Sequence, residues 1–397
     1  MIDRQEVIDT AEKYYLPVFG RQKLVLDHGR GAHVWDKNGR EYLDFLAGIA
    51  VNSLGYAHPA QVKAIAEQAG KLCHCSNIFY TEIQAQAAEL FCQVSGMDRV
   101  FFTNCGAESN EGALKLARKY GTAKSKDKYR IISAKMSFHG RTMATLTATG
   151  QPHYQEGYAP LPAGYEYVAY NDIDALEKMM DENVCAVLLE TIQGEGGVHV
   201  PDRDYLPKVR ELCDKYDALL IFDEIQTGVG RTGAWFEYMN AGVKPDILTF
   251  AKGVGGGFPV GGFAIPEKLA HVFKPGDHGG TFGGNALAMA SVYAALSTIK
   301  SQNLVNNAKE LGFYFKGELE KLAVKYPEKI YEVRGRGLLL GIETTKPAAP
   351  ILEKCLEQGI IINVTVGNVV RLVPPLVVTK EDIDKVVAAL DAAFKEF

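Results

Sequence analysis

The sequence predicts an α/β chain: a large domain with a mainly parallel sheet between helices, and a smaller α+β domain built from both chain ends. Three observations predict it. Through the middle of the chain, short apolar runs alternate with helix-period segments; this rhythm requires crossover connections and covers a sheet on both faces. The two ends read differently, with long helical patterns around short strands. The 397 residues also exceed the roughly 250–300 at which a single core stops growing.

Residues 1–45 are expected to form the N-terminal part of the small domain, 46–290 the large domain, and 291–397 the rest of the small domain. In the large domain the strand-like runs are 100–103, 129–133, 185–189, 218–222 and 246–250, each apolar and too short for a helix. Helical period recurs at 111–120, 173–181 and 206–216, and later at 290–301, 308–325 and 381–397. Short strands are expected at 337–343 and 369–372. In such a fold a ligand belongs at the carboxyl ends of the parallel strands or between the domains.

Hydrophobic residues make up 47% and charged residues 23%, which rules out wholesale disorder. Lys+Arg of 43 against Asp+Glu of 48 gives −5, not the basic footprint of a nucleic-acid binder. No apolar run approaches a spanning helix, so no membrane insertion is expected. The charged, amphipathic N-terminus lacks the apolar stretch of a secretory leader. Seven scattered cysteines suit reduced thiols and a cytoplasmic setting. Cys73-His74-Cys75 lacks a second ligand pair at zinc spacing, so no metal is expected.

Four features fall at the carboxyl ends of the expected strands. The first, 103–111, carries Gly106-Ala107 at the opening of a helix, where backbone N–H groups and the helix dipole favour an anion. No Gly-Lys-Ser/Thr follows, so it is not a nucleotide P-loop; alone it reads as a capped turn. The second is Asp223-Glu224, where a carboxylate ending a buried strand demands a partner. That partner could be a metal, a ribose or a protonated ring nitrogen, or the turn that the carboxylate caps.

The third is Lys252, followed by Gly253-Val254-Gly255-Gly256-Gly257. Desolvation lowers an amine's pKa and yields the neutral nucleophile that Schiff-base chemistry needs. The fourth is Phe138-His139-Gly140-Arg141: an aromatic platform, then a guanidinium with the fork that suits a carboxylate. Gly228-Val229-Gly230-Arg231-Thr232-Gly233 also matches a dinucleotide fingerprint. It opens no convincing helix, and no acidic residue ends a second strand at the right distance, so a nicotinamide enzyme is a weak reading. The four features together are the parts that pyridoxal phosphate needs: a phosphate cradle, a ring stacker, a carboxylate and a lysine.

In this order the motifs resemble those of the class III aminotransferases, in the fold type I superfamily of pyridoxal-phosphate enzymes. The resemblance runs from about Tyr15 to the C-terminus. It rests on 43–52, 102–108, Phe138-His139-Gly140-Arg141, 190–197, Asp223-Glu224-Ile225-Gln226-Thr227-Gly228 and 278–285. It implies that Gly106 and Ala107 bind the phosphate and that Phe138 stacks on the ring. Asp223 would pair with the ring nitrogen, within a cofactor-binding stretch that includes Glu224 and Ile225, and Gln226 would lie near the phenolic oxygen. Lys252 would hold the aldehyde and then act as the base. Thr281 would reach the phosphate of a second subunit, with Gly280 beside the substrate, so a homodimer with a shared site is implied. Cys105, Thr191 and Ala286 depart from the serine and prolines common in the family, and none replaces a group with an assigned role.

The resemblance further implies transfer of the amine of N2-acetyl-L-ornithine to 2-oxoglutarate, in arginine biosynthesis. Arg141 would take the carboxylate distant from the reacting amine, and Arg371 the α-carboxylate of glutamate. When no α-carboxylate is present, Arg371 needs a compensating anion; Glu190 is expected to be that gate, with Glu195 as a helper. Gly48 stands where enzymes acting on free ornithine carry tyrosine, which leaves room for an acyl group. Succinylornithine, succinyldiaminopimelate, ornithine and 4-aminobutyrate remain alternative donors, because their aminotransferases share these motifs.

Overall fold

The computed structural model describes residues 3–397. Its centre is a seven-stranded sheet in the spatial order Arg99–Thr103, Gly261–Ile265, Ile247–Phe250, Leu219–Asp223, Val184–Glu190, Arg130–Ala134 and Tyr165–Val168. All strands run parallel except Gly261–Ile265, which is antiparallel to both neighbours. Val184–Glu190 is buried at every position, as expected of a strand covered on both faces. Each expected strand of the large domain is present, shifted by no more than a residue or so at its ends.

Gly261–Ile265 and Tyr165–Val168 were not among the expected strands. The first opens on two glycines, which are poor strand formers. Gly262 is required there: a Cβ would sit 2.4 Å from the Phe250 ring and 2.5 Å from the Phe101 carbonyl oxygen. The mixed polar and aromatic sequence of the second matches an edge strand half open to solvent.

The register aligns the chemistry. Glu190 lies opposite Asp223, and Asp223 opposite Thr249, so both carboxylates leave the same end of the sheet. Lys252 follows two residues beyond the neighbouring strand, Ile247–Phe250. At that end too, Arg99–Thr103 hands over to the long helix Gly106–Thr122.

Two smaller sheets flank this centre. Leu26–Arg30, His33–Asp36 and Glu41–Asp44 form a meander, and Ile360–Ile361 adds in parallel, which joins the two chain ends. Ile330–Arg336, Leu339–Thr344, Val369–Leu372 and Asn363–Thr365 make an antiparallel sheet in that order. The helix Ala286–Ser301 runs unbroken through residue 290. One apolar cluster links Phe91, Phe222 and Phe250 under the central sheet to Phe315, Leu340 and Phe394 near the C-terminus. Among the described residues no helix is long and apolar enough to cross a membrane.

The helix Leu304–Lys325 lies directly on the turn after Ile330–Arg336: a Cβ on Gly312 would come within 2.3 Å of the Gly337 backbone. Backbone on the far side cannot yield as a side chain can. Gly312→Ala is therefore expected to lower stability by roughly 1–3 kcal/mol. In urea denaturation this reads as a lower midpoint at an unchanged slope; an unchanged midpoint would refute the contact.

Candidate active site

A cleft of about 480 Å³ opens over the carboxyl ends of the central strands, within the range of small-molecule sites. It is lined by Gly106, Phe138, Arg141, Glu195, Asp223 and Lys252, among others. A larger hollow of about 970 Å³ lies against Lys309 and Arg334, but it contains no strand-end acid or lysine, so size alone does not locate the chemistry.

Lys252 begins the short turn Lys252–Gly255 with φ +44°, a left-handed conformation that costs a non-glycine residue about 1–3 kcal/mol. Its amine faces the cleft. Burial pushes the amine below its usual value; the charge of Glu195 opposes this and that of Arg371 adds to it.

Asp223 accepts three hydrogen bonds and keeps acceptor capacity on Oδ1. One oxygen accepts from Asn110 Nδ2 at 2.8 Å and His139 Nδ1 at 2.8 Å; the other accepts from the Ile225 amide at 3.1 Å. An ionised carboxylate only accepts, so His139 carries its proton on Nδ1. Asn110 also donates to the His139 carbonyl at 2.8 Å, which ties the three groups together. Neither Asn110 nor His139 had been assigned a role, although both sit inside motifs noted in the sequence. An amide side chain in the first turns of a helix that starts at a ligand site was the available signal.

The helix Gly106–Thr122 opens on this cleft with no side-chain cap from Cys105, so its first amides lack intrahelical partners. Ile225 packs close against Gly106: a Cβ there would lie 2.8 Å from Ile225 Cδ1 and push that side chain aside. Phe138 packs edge-on against Tyr154, ring centroids 5.7 Å apart. The Arg141 guanidinium lies over both rings, 5.5 and 3.9 Å from their centroids. Arg141 makes no ion pair among the described residues.

Arg371 extends from Val369–Leu372 and is fully buried. Its Nη1 donates to Glu195 Oε1 at 2.6 Å and to Gln226 Oε1 at 3.0 Å, and its Nε to Asn363 Oδ1 at 3.2 Å. Its Nη2 has no partner. Gln226 completes a triangle by donating to Glu195 Oε1 at 3.0 Å. Burial pushes the Glu195 carboxyl up, but the charges of Arg371 and Lys252 outweigh it and hold the group below its usual range.

Two expectations need correction. The anion on Arg371 is Glu195, not Glu190. Glu190 accepts instead from the Phe138 amide at 3.2 Å and the Gly194 amide at 3.1 Å. Glu224 does not line the cleft: it turns away to accept from Thr227 at 3.0 Å and from the Glu237 and Tyr238 amides at 2.5 and 2.7 Å, and burial pushes its carboxyl up to about 8. Gln226, expected at a phenolic oxygen, lines the cleft and bonds through its amide to Glu195 and Arg371. Gly280 and Thr281, expected to serve the site of a second subunit, are exposed and lie outside this chain's own cleft; Gly280 lines a separate hollow with Tyr80 and His278.

The family model for class III aminotransferases matches residues 18–394. The chain belongs to that family. It is 49% identical over 392 residues to an acetylornithine aminotransferase of Caldanaerobacter subterraneus subsp. tengcongensis, covering 98% of this chain and 99% of that one. A Methanocaldococcus jannaschii protein of the same name is 48% identical over 396 residues, covering 100% and 99%. Among solved structures, the ornithine aminotransferase of Toxoplasma gondii superposes with a TM-score of 0.95 at 36% identity, covering 100% of this chain and 96% of that one. The acetylornithine aminotransferase of Elizabethkingia anophelis gives 0.89 at 35%, covering 100% of both.

This aminotransferase is therefore an enzyme that works with pyridoxal phosphate. The cleft fits that group on three counts of its own: uncapped amides at the head of a long helix, a carboxylate fixed by two buried donors, and a desolvated lysine. The nicotinamide reading falls with the same findings, since Gly228–Gly233 opens no helix and the next, Glu237–Ala241, starts beyond it.

Burial, opposed by His139 and reinforced by Asp223, pushes the Glu190 carboxyl from 4.5 up to about 7. Between those values the unfolded chain releases a proton that the folded enzyme keeps. Stability then falls as pH rises through this window and levels off above it. Glu190→Gln removes the effect, so the variant's stability relative to the enzyme should rise between pH 4.5 and 7 by roughly 3 kcal/mol. Denaturation midpoints at pH 5 and pH 8 measure it; a pH-independent difference would refute the raised carboxyl.

Proposed function

We propose that the enzyme transfers the side-chain amine of N2-acetyl-L-ornithine to 2-oxoglutarate, giving N-acetyl-L-glutamate 5-semialdehyde and L-glutamate, in arginine biosynthesis. The observation that carries this reading is Arg371: buried, bound on one side by Glu195 and Gln226, with Nη2 free on the other. A carboxylate beside the reacting amine, as in glutamate, would take Nη2 and displace Glu195. A donor whose reacting amine is remote from its carboxylate would leave the Glu195 pair intact. One site thereby serves both halves of a ping-pong cycle. The names of the relatives at 48–49% identity support the acetylated donor.

Bound pyridoxal phosphate would supply an aldehyde for covalent capture of the amine and a ring that withdraws electrons from the carbon bearing it. In this reading the Gly106 and Ala107 amides bind its phosphate, Phe138 covers the ring, and Ile225 packs beside it. Asp223, oriented by Asn110 and His139, would keep the ring nitrogen protonated. Lys252, whose amine burial holds below its usual pKa, would hold the aldehyde and carry the proton on Nζ. Arg141 binds the distant carboxylate. The left-handed run at Ala47, Gly48, Ile49 and Ala50 leads into Val51 on the cleft wall; the missing side chain at Gly48 leaves space for the acetyl group.

The site is completed by a second copy of the chain in a homodimer. Gly280 lines a surface hollow with Tyr80, and Gly280, Thr281, Tyr80 and Phe282 are all exposed, which suits burial against a second copy. The same reading divides the chain at 45/46 and 290/291, with Arg371 on the small domain facing Lys252 on the large one, and sets the enzyme in the cytoplasm.

A coupled glutamate-formation assay with acetylornithine, ornithine, succinyldiaminopimelate and 4-aminobutyrate tests the donor. Acetylornithine should show the highest kcat/KM; preference for ornithine or 4-aminobutyrate would overturn the assignment. Lys252→Ala should abolish turnover and the enzyme's visible absorption band, and a variant that kept both would remove the lysine from the mechanism.

A further inference from the structure

Between Val184–Glu190 and residue 200 the chain makes a tight hairpin. Gln193 and His199 close its base through paired backbone bonds of 3.0 and 3.1 Å, and Gly197 and Val198 turn its tip at φ +114° and +56°. Glu195 lies on this hairpin, which docks on the C-terminal antiparallel sheet. There Arg334 is registered with Gly341, Gly341 with Arg371, and Arg371 with Asn363. Residues opposed in this way project from the same face, so two arginines flank a glycine.

The hairpin fits that row. Arg334 donates from Nε at 2.9 Å and from Nη2 at 2.7 Å to the Gly197 carbonyl. Val198 sits over Gly341, where a Cβ would lie 3.0 Å from Val198 Cβ. The Thr365 hydroxyl donates to the Glu195 carbonyl, and Arg371 holds the Glu195 carboxylate. The two arginines differ in one respect. Arg334 Nη1 is paired with Glu332 at 2.7 Å and Glu343 at 2.5 Å, so no substrate anion is needed to balance it. Arg371 has Glu195 as its one carboxylate partner among the described residues.

We propose that Arg334 and Thr365 are positioning residues that clamp the hairpin backbone to the sheet, so that exchange at Arg371 is confined to the Glu195 side chain. This rests on the reading of Arg371 as the α-carboxylate site. With the backbone held, Glu195 leaves and returns by side-chain rotation, a far faster event than refolding a loop. Without the clamp, Glu195 returns to Arg371 less often, and the uncompensated guanidinium captures the remote carboxylate of an ω-amine donor in an unproductive pose. Glutamate, which displaces Glu195 in any case, is little affected.

The test uses Arg334→Gln in the holoenzyme. Single-turnover kcat/KM is followed by absorbance for glutamate and for whichever ω-amine donor the unmodified enzyme turns over fastest in the panel above. The ω-amine half-reaction should fall about tenfold, with glutamate changed by less than about threefold. Thr365→Val, nearly isosteric, should give the same asymmetry to a smaller degree and keeps the test available if the arginine variant does not fold. Equal losses in both half-reactions, or no loss, would overturn the proposal. Failure of the functional reading would be visible already in the unmodified enzyme's donor preference, whereas failure of the clamp would be visible in the variants alone.

Discussion

A fully buried guanidinium must be compensated at every stage of a reaction cycle, and that constraint organises this enzyme. An unpaired charge at Arg371 would cost several kcal/mol. The fold therefore brings Glu195, Gln226 and Asn363 to it from three separate parts of the chain. Their bonds leave Nη2 alone unsatisfied, and it is this donor that the proposed function gives to a substrate carboxylate. The opposite wall of the cleft has the complementary problem: a buried carboxylate, Asp223, which Asn110 and His139 aim through bonds to Oδ2. Lys252 lies between these two fields, its amine held below its usual pKa because burial outweighs the acids around it.

The strands at the centre were legible because burial on both faces leaves an uninterrupted apolar signature, as at 185–189. Asp223 and Lys252 were legible for the opposite reason: each places a charge at or just past the end of an apolar strand. What could not be read were choices made across long sequence distances. Glu190 and Glu195 are equivalent in a one-dimensional view, each an acid in the same glycine-rich stretch. The geometry separates them: Glu190, at a strand end, is captured by nearby amides, while the hairpin carries Glu195 across to Arg371, 176 positions away. Glu224 was misread in the same way. As Asp223's neighbour on an extended strand it points to the other side and caps the helix Glu237–Ala241 instead.

Gly228–Gly233 shows why a motif needs its context. In place of a nucleotide the segment supports buried Arg231, whose Nη1 donates to the Leu338 carbonyl at 3.1 Å and to that of Pro374. Burial lowers its pKa to about 9. Gly233 clears the long helix, since a Cβ would fall 2.8 Å from Lys309 Cβ. The glycines thus serve close packing of the strap leading from Asp223 onto the element preceding Leu339–Thr344, and this strap helps hold the sheet bearing Arg371 over the central strands.

The central claim is that one anion leaves Arg371 when another arrives. Crystal structures of the holoenzyme with glutamate and with the N-acylated donor test it directly, through the separation of Glu195 and Arg371. The account predicts an ion pair within about 4 Å with the acylated donor, and a substrate carboxylate in place of Glu195 with glutamate, the 193–199 backbone unmoved in both. A Glu195–Arg371 pair intact in both complexes, or broken in both, would contradict it.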